Sequence, residues 1–339
     1  MLKEQIEELC HGRHLSEGQS REAMADIMAG RATDAQIAGF LVALRLNGEN
    51  VDEITGCVRA MREAAEGIDV GGLPVVDTCG TGGDDKSTFN ISTAAAIVTA
   101  GAGVPVAKHG NRSVSSSSGS ADVLEKLGVN IEAPPETVER CVQEVGLGFL
   151  FAPLLHRAMK HAIGPRRELG VRTVFNLLGP LTNPAGARRQ VLGVYSEELT
   201  SLMAGVLHRL GTKRALVVNS RDGMDELSTC DKTAVAEVGP KGVSEWVLEP
   251  RDLGLERSDV SELIADGPDD SARIIRDILD GKPGAPRDIV ALNAGGAIYA
   301  GGKAESLQEG LEAARESIDS GDAREVLDRL RTLSHETEE

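Results

Sequence analysis

Apolar residues recur at helical spacing through the first 66 positions and predict a group of packed helices. One stripe with the spacing i, i+3, i+4, i+7 consists of Ile37, Phe40, Leu41 and Leu44. Ser16 stands three residues before Gln19, and Thr33 stands three residues before Gln36, which is the capping-box pattern of a helix start. We therefore expect a small all-helical unit at this end of the chain, with a surface suited to joining two copies.

After a linker at residues 71–74, short apolar runs alternate with amphipathic segments. The pattern predicts strands at residues 74–78, 104–108, 149–152, 190–195, 215–219 and 233–238. It predicts helices at residues 92–102, 120–127, 135–145, 197–210, 272–279 and 287–299. This alternation indicates an α/β unit with a mainly parallel central sheet, whose ligands gather at the carboxyl ends of the strands. The charged segment 306–333 is expected to form a solvated helix pair.

Composition narrows the class of protein. A chain of 339 residues with 41% hydrophobic content can bury a large core, and its 2% aromatic content means that aliphatic side chains must fill it. The net charge of −17 argues against a nucleic-acid partner, because a phosphate backbone requires clustered cations. Five scattered cysteines without a C-x-x-C pair fit a reducing cytoplasm. No secretory signal and no apolar run long enough for a membrane span is visible, so no membrane partner is expected.

A glycine-rich segment between the first predicted strand and the next helix is typical of a phosphate site. It reads D-T-C-G-T-G-G-D, and we expect Gly80, Gly82 and Gly83 to take positive φ and let the backbone approach a ligand. Asn90, with Ser92 and Thr93, would then cap the helix that follows. The pattern alone is equally typical of an ordinary glycine turn, because it matches neither the Walker loop nor G-x-G-x-x-G.

A second loop makes the phosphate interpretation stronger. The strand at 104–107 leads into Lys108, His109 and a run of glycine, asparagine, arginine and five serines. A serine run can be a flexible linker, but this one lies between a strand and the amphipathic segment 121–127. Two such loops indicate one phosphate-rich ligand held from two sides.

Two further segments carry charged side chains next to glycines or directly after a predicted strand. Arg166, Arg167 and Arg172 lie among glycines, and a guanidinium suits a carboxylate or a phosphate. For Arg167 we expect a surface salt bridge to Glu168 instead.

Asp225 and Glu226 follow an apolar strand, and adjacent carboxylates of this kind suit Mg²⁺, although acidic turns are common in an acidic protein. The histidines at 156, 161 and 208 lack metal-ligand spacing and are expected to be structural or to line a pocket.

Several long motifs are similar to those of the anthranilate phosphoribosyltransferase family. They read D-T-C-G-T-G-G-D, N-I-S-T, K-H-G-N-R-x-x-S-S-x-S-G-S-A-D-V-L-E, R-x-x-L-G-x-R-T-x-F-N-L-L-G-P-L-T-N-P and G-M-D-E-L-S. The helical segment G-R-A-T-D-A-Q-I-A-G-F-L-V-A-L-R-L-N-G-E also resembles that family. The resemblance covers at least residues 25–230 in order, and the chain beyond about residue 240 adds no motif.

The resemblance implies a reaction, a fold and an assembly. The amine of anthranilate would attack C1 of phosphoribosyl pyrophosphate (5-phosphoribosyl 1-pyrophosphate), releasing pyrophosphate in an early step of tryptophan biosynthesis. The fold would resemble class II nucleoside phosphorylases, with a helical domain at residues 1–70 that includes a returning part near 165–190, and an α/β domain at 71–339. A homodimer through the helical domain and Mg²⁺, with two ions per subunit, are also implied.

The resemblance also implies roles for individual residues. Contacts to phosphoribosyl pyrophosphate are implied for Gly80, Gly83, Asp84, Thr88, Asn90, Ile91, Ser92, Thr93, Lys108, His109, Gly110, Asn111, Arg112, Ser113, Val114, Ser115, Ser116 and Ser120. Contacts to anthranilate are implied for Gly80, Asn111, Arg166, His109, His156 and Gly179. The metal ligands would be Ser92, Asp225 and Glu226.

This sequence departs from the family pattern at Ser117, where some relatives carry lysine, and at the doubled Asp84-Asp85. No residue is assigned as a general base, because an aromatic amine is already neutral and nucleophilic at pH 7; His109 is the only nearby candidate. Two alternatives remain at this point: a nucleoside phosphorylase of the same fold, and a non-catalytic relative that binds nucleic acid. The acidic pair argues against the first and the acidic net charge against the second.

Overall fold

The computed structural model describes residues 2–84, 86–112 and 118–336. It begins with four helices: α1 (Leu2–Cys10), α2 (Glu17–Met28), α3 (Asp34–Asn47) and α4 (Val51–Ala64). The predicted capping boxes at Ser16 and Thr33 are confirmed, and a third, which the sequence analysis missed, joins Asn50 to Glu53 at the start of α4. Each box satisfies main-chain N–H groups that the first helical turn leaves without partners.

The core of these helices continues into later parts of the chain. The predicted stripe of α3 is confirmed, since all four of its apolar residues are buried. Ala162, Phe175 and Leu178 belong to the same apolar cluster, as do Leu192 and Val217 of the sheet. The helical unit therefore packs against one face of the sheet and is completed by a segment more than a hundred residues away in the chain.

The α/β part is built on a seven-stranded sheet with the order β3-β2-β1-β4-β5-β6-β7. Its strands are β1 (Val76–Gly80), β2 (Val106–Gly110), β3 (Leu147–Phe151), β4 (Arg189–Gly193), β5 (Arg214–Ser220), β6 (Thr233–Gly239) and β7 (Gly242–Leu248). The first five are parallel, and β6 and β7 are antiparallel to their neighbours. The mainly parallel sheet and its six predicted strands are confirmed. The seventh strand, a largely exposed edge strand, was missed because its apolar residues do not alternate strictly with polar ones.

Helices cover both faces of the sheet. They are α5 (Ile91–Gly101), α6 (Ser120–Leu127), α7 (Pro135–Arg140), α8 (Ala152–Leu155), α9 (Lys160–Leu169), α10 (Phe175–Leu178), α11 (Glu198–Arg209), α12 (Pro268–Leu279), α13 (Ala285–Gly301), α14 (Leu307–Asp319) and α15 (Asp322–Leu333). A π-helical turn, Cys141–Val145, extends α7, and 3₁₀ turns occur at Arg157–Met159, Gly179–Leu181, Pro250–Leu253 and Val260–Leu263. All six predicted helices of this part are present, whereas α8 to α10 were not predicted.

The prediction that the last two helices are solvated was wrong. Each buries an apolar face in the main core, through Leu311 and Ile318 in α14 and through Leu327 in α15. Glycine permits this packing: a Cβ added at Gly310 would lie 2.3 Å from the main-chain oxygen of Gly295, so α13 and α14 touch backbone to backbone. The high charge of the segment belongs to the outer faces alone.

The parallel strands place three loops at one edge of the sheet. The loops after β1, β2 and β5 all leave from carboxyl ends, and β1 pairs directly with both β2 and β4. Three loops therefore meet at this edge: the glycine loop (residues 81–90), the serine loop (residues 111–119) and the acidic loop (residues 221–232). Within the described residues, none of the helices is both long and apolar enough to span a bilayer.

Candidate active site

The glycine loop adopts positive φ at two of the three predicted positions. Gly82 and Gly83 have φ of 64° and 78°, which confirms the prediction for them. Gly80 is different, because it is the last residue of β1 and its φ is not positive. An added Cβ at Gly80 would lie 2.3 Å from Oδ2 of Asp225, so this glycine makes room for a carboxylate from the acidic loop.

The acidic loop packs directly against the glycine loop. Oδ2 of Asp225 accepts a hydrogen bond from the Gly82 N–H at 3.0 Å. A Cβ added at Gly193, the last residue of β4, would lie 1.6 Å from the Asp225 carbonyl oxygen, so the backbones also touch. Asp222 has a different use, since it accepts hydrogen bonds from the Ser228 hydroxyl and the Met224 N–H inside the loop. Asp225 and Glu226 are therefore the carboxylates turned towards the sheet edge.

Burial raises the pKa values of both carboxyls, and a neighbouring carboxylate adds to each shift. Burial, and secondarily the charge of Asp84, raises the pKa of Asp225 to about 7. Burial, followed by the charge of Asp225, raises the pKa of Glu226 well above its usual range, and Lys108 opposes that shift. Glu226 also accepts a hydrogen bond from the Ser92 main chain. A cation placed between these groups would relieve the repulsion.

Lys108 connects β2 to β1 and to the start of α5, the elements that flank the first two loops. Its buried ammonium donates to the Thr78 carbonyl oxygen at 2.5 Å and to the Ser92 hydroxyl at 3.3 Å. Burial lowers the pKa of Lys108, and the charge of Asp77 opposes that effect. Asp77 is itself fully buried and accepts from the His109 N–H at 3.1 Å and from the Asn183 amide at 2.8 Å. The end of β2 is thus fixed to the end of β1 by charge-assisted contacts.

Asn90 occupies the N-cap position of α5, as predicted, but the expected side-chain cap is not formed. Its side chain makes no capping bond to the helix; its oxygen accepts from the Thr93 hydroxyl, and its amide donates to the Ser118 carbonyl oxygen at 3.0 Å. The Asn90 N–H donates to the hydroxyl of Ser271, a buried residue that the sequence analysis did not identify. Thr88 forms a β-bridge with Ile264 nearby. The first turn of α12 and the segment before it therefore support the end of the glycine loop, and Asn90 connects that loop to the serine loop.

The serine loop is described only at its two ends. A Cβ added at Gly110 would lie 2.2 Å from the Ser120 hydroxyl, which donates to the Asn111 carbonyl oxygen at 3.4 Å. Arg112 forms ion pairs with Asp122 and Glu125 of α6, at 3.0 and 3.1 Å. The predicted contact residues at 113–116, and Ser117, lie outside the described residues.

Two buried histidines lie close together, His109 near the end of β2 and His156 directly after α8. The rings of His109 and His156 are 5.0 Å apart, and both side chains are buried. Burial, and then the neighbouring His156, lowers the pKa of His109 to about 3; burial also lowers the pKa of His156. His109 hydrogen-bonds the Gly179 main chain, while neither Nε2 atom has a hydrogen-bond partner in the described part of the chain. Three of the predicted anthranilate contacts are thereby brought together.

Arg166 projects from α9 with its guanidinium 4.8 Å from the centre of the Phe175 ring. Partial burial lowers its pKa, and it has no hydrogen bond or ion pair with any residue that the structure describes. Arg167 is exposed, and the expected ion pair between Arg167 and Glu168, both described residues, is not formed. Neither fork has an ion-pair partner among the described residues, and Arg166 is the partly buried arginine of the two, so it is the better candidate to receive a carboxylate inside the site.

The third arginine of this segment was left without a role by the sequence analysis. Nη2 of Arg172 donates to the Gly83 carbonyl oxygen at 2.7 Å, and its guanidinium lies 4.3 Å from the centre of the Tyr195 ring. The presence of a second arginine in R-x-x-L-G-x-R-T was the only signal of this contact in the sequence.

Comparison with known proteins gives matches along nearly the whole chain. Residues 3–65 match the family described as "Glycosyl transferase family, helical bundle domain", and residues 72–324 match "Glycosyl transferase family, a/b domain". The anthranilate phosphoribosyltransferase of Trichlorobacter lovleyi is 50% identical over 349 residues, covering 99% of this chain and 100% of that protein.

Solved structures agree with the sequence matches. The crystal structure of anthranilate phosphoribosyltransferase from Thermus thermophilus superposes with a TM-score of 0.93 at 48% identity, covering 98% of this chain and 99% of that one. The Saccharomyces cerevisiae enzyme in complex with PRPP and Mg superposes with a TM-score of 0.89 at 30% identity, covering 98% and 97%. A structure of the yeast enzyme with 4-fluoroanthranilate gives a TM-score of 0.87. The chain belongs to the anthranilate phosphoribosyltransferase family.

Proposed function

We propose that this protein transfers the phosphoribosyl group of phosphoribosyl pyrophosphate to the amine of anthranilate, giving N-(5-phosphoribosyl)anthranilate and pyrophosphate in tryptophan biosynthesis. The observation that carries this proposal is the contact of Lys108 with both Thr78 and Ser92. It fixes β2 to β1 and to the start of α5, so that the two loops leaving these strands can form two walls of one cradle, as a ligand with a phosphate at one end and a pyrophosphate at the other requires.

The cradle contains the groups that hold phosphate. Gly83 presents its main-chain N–H in a positive-φ turn, beside Gly82, whose N–H is taken by Asp225, and the loop leads to the N-terminus of α5. We assign the contacts to phosphoribosyl pyrophosphate to the residues named in the sequence analysis, from Gly80 to Ser120. Arg112 would have to leave its ion pairs with α6, or contact the ligand alongside them.

The donor set at the acidic loop fits Mg²⁺. Mg²⁺ prefers oxygen ligands and is commonly held by one or two carboxylates together with substrate phosphates. Asp225 and Glu226 supply such carboxylates and repel each other without a cation, while no three potential His, Cys, Asp or Glu ligands are preassembled among the described residues. We propose that these two residues and Ser92 hold Mg²⁺, two ions per subunit, with the phosphates completing the coordination. Bound Mg²⁺ neutralises charge that develops on the departing pyrophosphate.

Anthranilate would lie between the histidine pair and α9. Its carboxylate matches the unpartnered guanidinium of Arg166, and the neutral rings of His109 and His156 provide a wall without charge. Asn111 and Gly179 border the same space in the proposal, and Gly80 lies at its inner end. An aromatic amine needs no strong base to attack, so neither histidine is assigned proton transfer.

The assembly is proposed to be a homodimer through the helical domain. Leu46 on α3 is 81% exposed and Ile163 on α9 is 47% exposed, and α3 packs against α9. Exposed apolar residues on two adjoining helices favour burial against a second copy. Light scattering on wild type and on Leu46→Glu tests the dimer, because a dimer formed through this surface predicts a twofold lower mass for the variant.

We further propose a helical domain at residues 1–70 with a return near 165–190, an α/β domain at 71–339, and a cytoplasmic location.

Loss of anthranilate fluorescence on adding phosphoribosyl pyrophosphate and Mg²⁺ tests the activity. We expect turnover that requires all three components and releases one pyrophosphate per anthranilate consumed. The matched control replaces these substrates with inorganic phosphate and a pyrimidine nucleoside. Release of free base in the control, without anthranilate turnover, would make the protein a nucleoside phosphorylase and would refute the proposal.

A further inference from the structure

Arg172 joins the segment that carries Arg166 to the glycine loop. It follows α9 after Gly170, which turns the chain with φ of 60°, and its guanidinium donates to the Gly83 carbonyl oxygen at 2.7 Å. The two residues are 89 positions apart in the chain. A charge-assisted hydrogen bond of this kind is among the stronger contacts available to a main-chain carbonyl.

Tyr195 holds Arg172 in place and also belongs to the support of the same loop. Its ring lies 4.3 Å from the guanidinium carbon, and its N–H donates to the Thr81 hydroxyl at 3.2 Å. The Thr81 N–H in turn donates to the Gly193 carbonyl oxygen at 2.9 Å. Thr81, the first residue of the loop, is thus fixed by the end of β4. Gly83, the third residue, is fixed by Arg172, which packs on Tyr195 just after that strand.

The lack of a side chain at Gly83 is required by this contact as well as by its φ. A Cβ added there would lie 2.7 Å from Nη2 of Arg172 and would displace the guanidinium. From the sequence alone, glycine at position 83 is explained only by its positive φ and the approach of a phosphate. The structure provides a second reason that involves no ligand.

We infer that Arg172 is a positioning residue that couples the two substrate sites. This inference rests on the proposed function. Arg172 holds the Gly83 carbonyl, which sets the direction of the glycine-loop N–H groups, and it anchors the chain that leaves α9, which sets the reach of Arg166. It acts on both substrates through other residues. Removing it loosens the glycine loop and α9 together.

Steady-state kinetics of Arg172→Ala test the coupling. We expect KM to rise about tenfold for each substrate, the lower end of the effect of losing a hydrogen bond to a charged group. Arg166→Ala should raise KM for anthranilate alone. Arg167→Ala, which alters an exposed arginine on the same helix, should change neither. A purely structural defect would instead lower the melting temperature and the active fraction and leave both KM values unchanged.

Tyr195→Leu provides a second test that keeps Arg172 in the chain. It should raise both KM values, and the double variant Arg172→Ala/Tyr195→Leu should be no worse than Arg172→Ala, because Tyr195 acts through the arginine. Additive effects, or a rise in only one KM or in neither, would overturn the inference. Wild type is measured in the same series, so an inactive wild type refutes the proposed function, whereas an active wild type with unaffected variants refutes the coupling alone. If Arg172→Ala does not fold, the two KM values of Tyr195→Leu decide whether the inference holds: both must rise.

Discussion

Gly80, the last residue of β1, packs against Asp225 in the loop that follows β5: a Cβ at Gly80 would lie 2.3 Å from Oδ2 of Asp225. The same oxygen accepts the Gly82 N–H at 3.0 Å. The acidic loop therefore occupies the space that any side chain at the end of β1 would fill. This contact places the proposed metal ligand beside the proposed phosphate loop before any ligand binds.

Gly80→Ala should remove most of the activity at a modest cost in stability. The new methyl group must displace the Asp225 carboxylate, which is the end of a flexible side chain, so the overpacking should cost about 1–3 kcal/mol of the free energy of unfolding. We expect a higher Mg²⁺ requirement and a lower kcat, measured by the fluorescence assay across Mg²⁺ concentrations. Gly18→Ala is the control, because no atom lies within 4 Å of an added Cβ there. Normal turnover of Gly80→Ala at low Mg²⁺ would contradict this account of the contact.

The double substitution Asp225→Asn with Glu226→Gln should abolish most of the Mg²⁺-dependent turnover. Both side chains keep their size and lose their charge, so the proposed coordination is weakened while the loop remains packed. Stability should hold or rise, because burial, which chiefly raises both pKa values, disfavours the charges that the substitutions remove. The measurements are kcat against Mg²⁺ concentration and thermal unfolding without substrates. Near-normal turnover at low Mg²⁺ would exclude the metal role of the pair.

Arg166→Ala should raise KM for anthranilate strongly and leave KM for phosphoribosyl pyrophosphate nearly unchanged. Losing a charge-assisted contact costs about 1.5–3 kcal/mol, or roughly ten- to a hundredfold in binding. Apart from its contact with the Phe175 ring, the guanidinium has no hydrogen bond or ion pair among the described residues, so its removal should disturb little else. Steady-state kinetics with each substrate varied in turn provide the test, with Arg167→Ala as the control. Equal behaviour of the two variants would show that this arginine has been assigned wrongly.

The pKa of His109 predicts part of the acid sensitivity of the fold. Its folded pKa of about 3 lies below the ordinary value of about 6.5, so between these two pH values the unfolded chain binds more protons than the folded one. The stabilisation is complete above about pH 6.5 and is lost as the pH falls towards 3. Between pH 6.5 and 4.5 this group alone should lower the free energy of unfolding by about 2 kcal/mol.

His109→Gln should therefore lose about 2 kcal/mol less than wild type over that pH interval. Urea unfolding at several pH values measures the difference, and His208→Gln, which alters an exposed histidine of α11, is the control. Identical pH dependence of wild type and His109→Gln would show that His109 is protonated in the folded protein at pH 4.5.

The sequence by itself determined the features that depend on neighbours in the chain. The stripe of α3, the capping boxes at Ser16 and Thr33 and the positive φ of Gly82 and Gly83 follow from spacing and residue type within a few positions. The alternation of strands and helices predicted the mainly parallel sheet for the same reason. The long motifs identified the family because they preserve chemistry at fixed spacing.

Contacts between distant parts of the chain were decided only by the tertiary structure. Gly80 is glycine because of Asp225, Arg172 has a role because of Gly83, and Asn90 is held by Ser271, 181 positions later. The burial of α14 and α15 depends on the positions of α5 and α13, against which they pack. The local pattern of a charged segment contains no information about those positions. Side-chain periodicity reports which face of an element is apolar, whereas the identity of the partner depends on how the strands are ordered in the sheet. That order brings the ends of β1, β2, β4 and β5 together, and so creates the site.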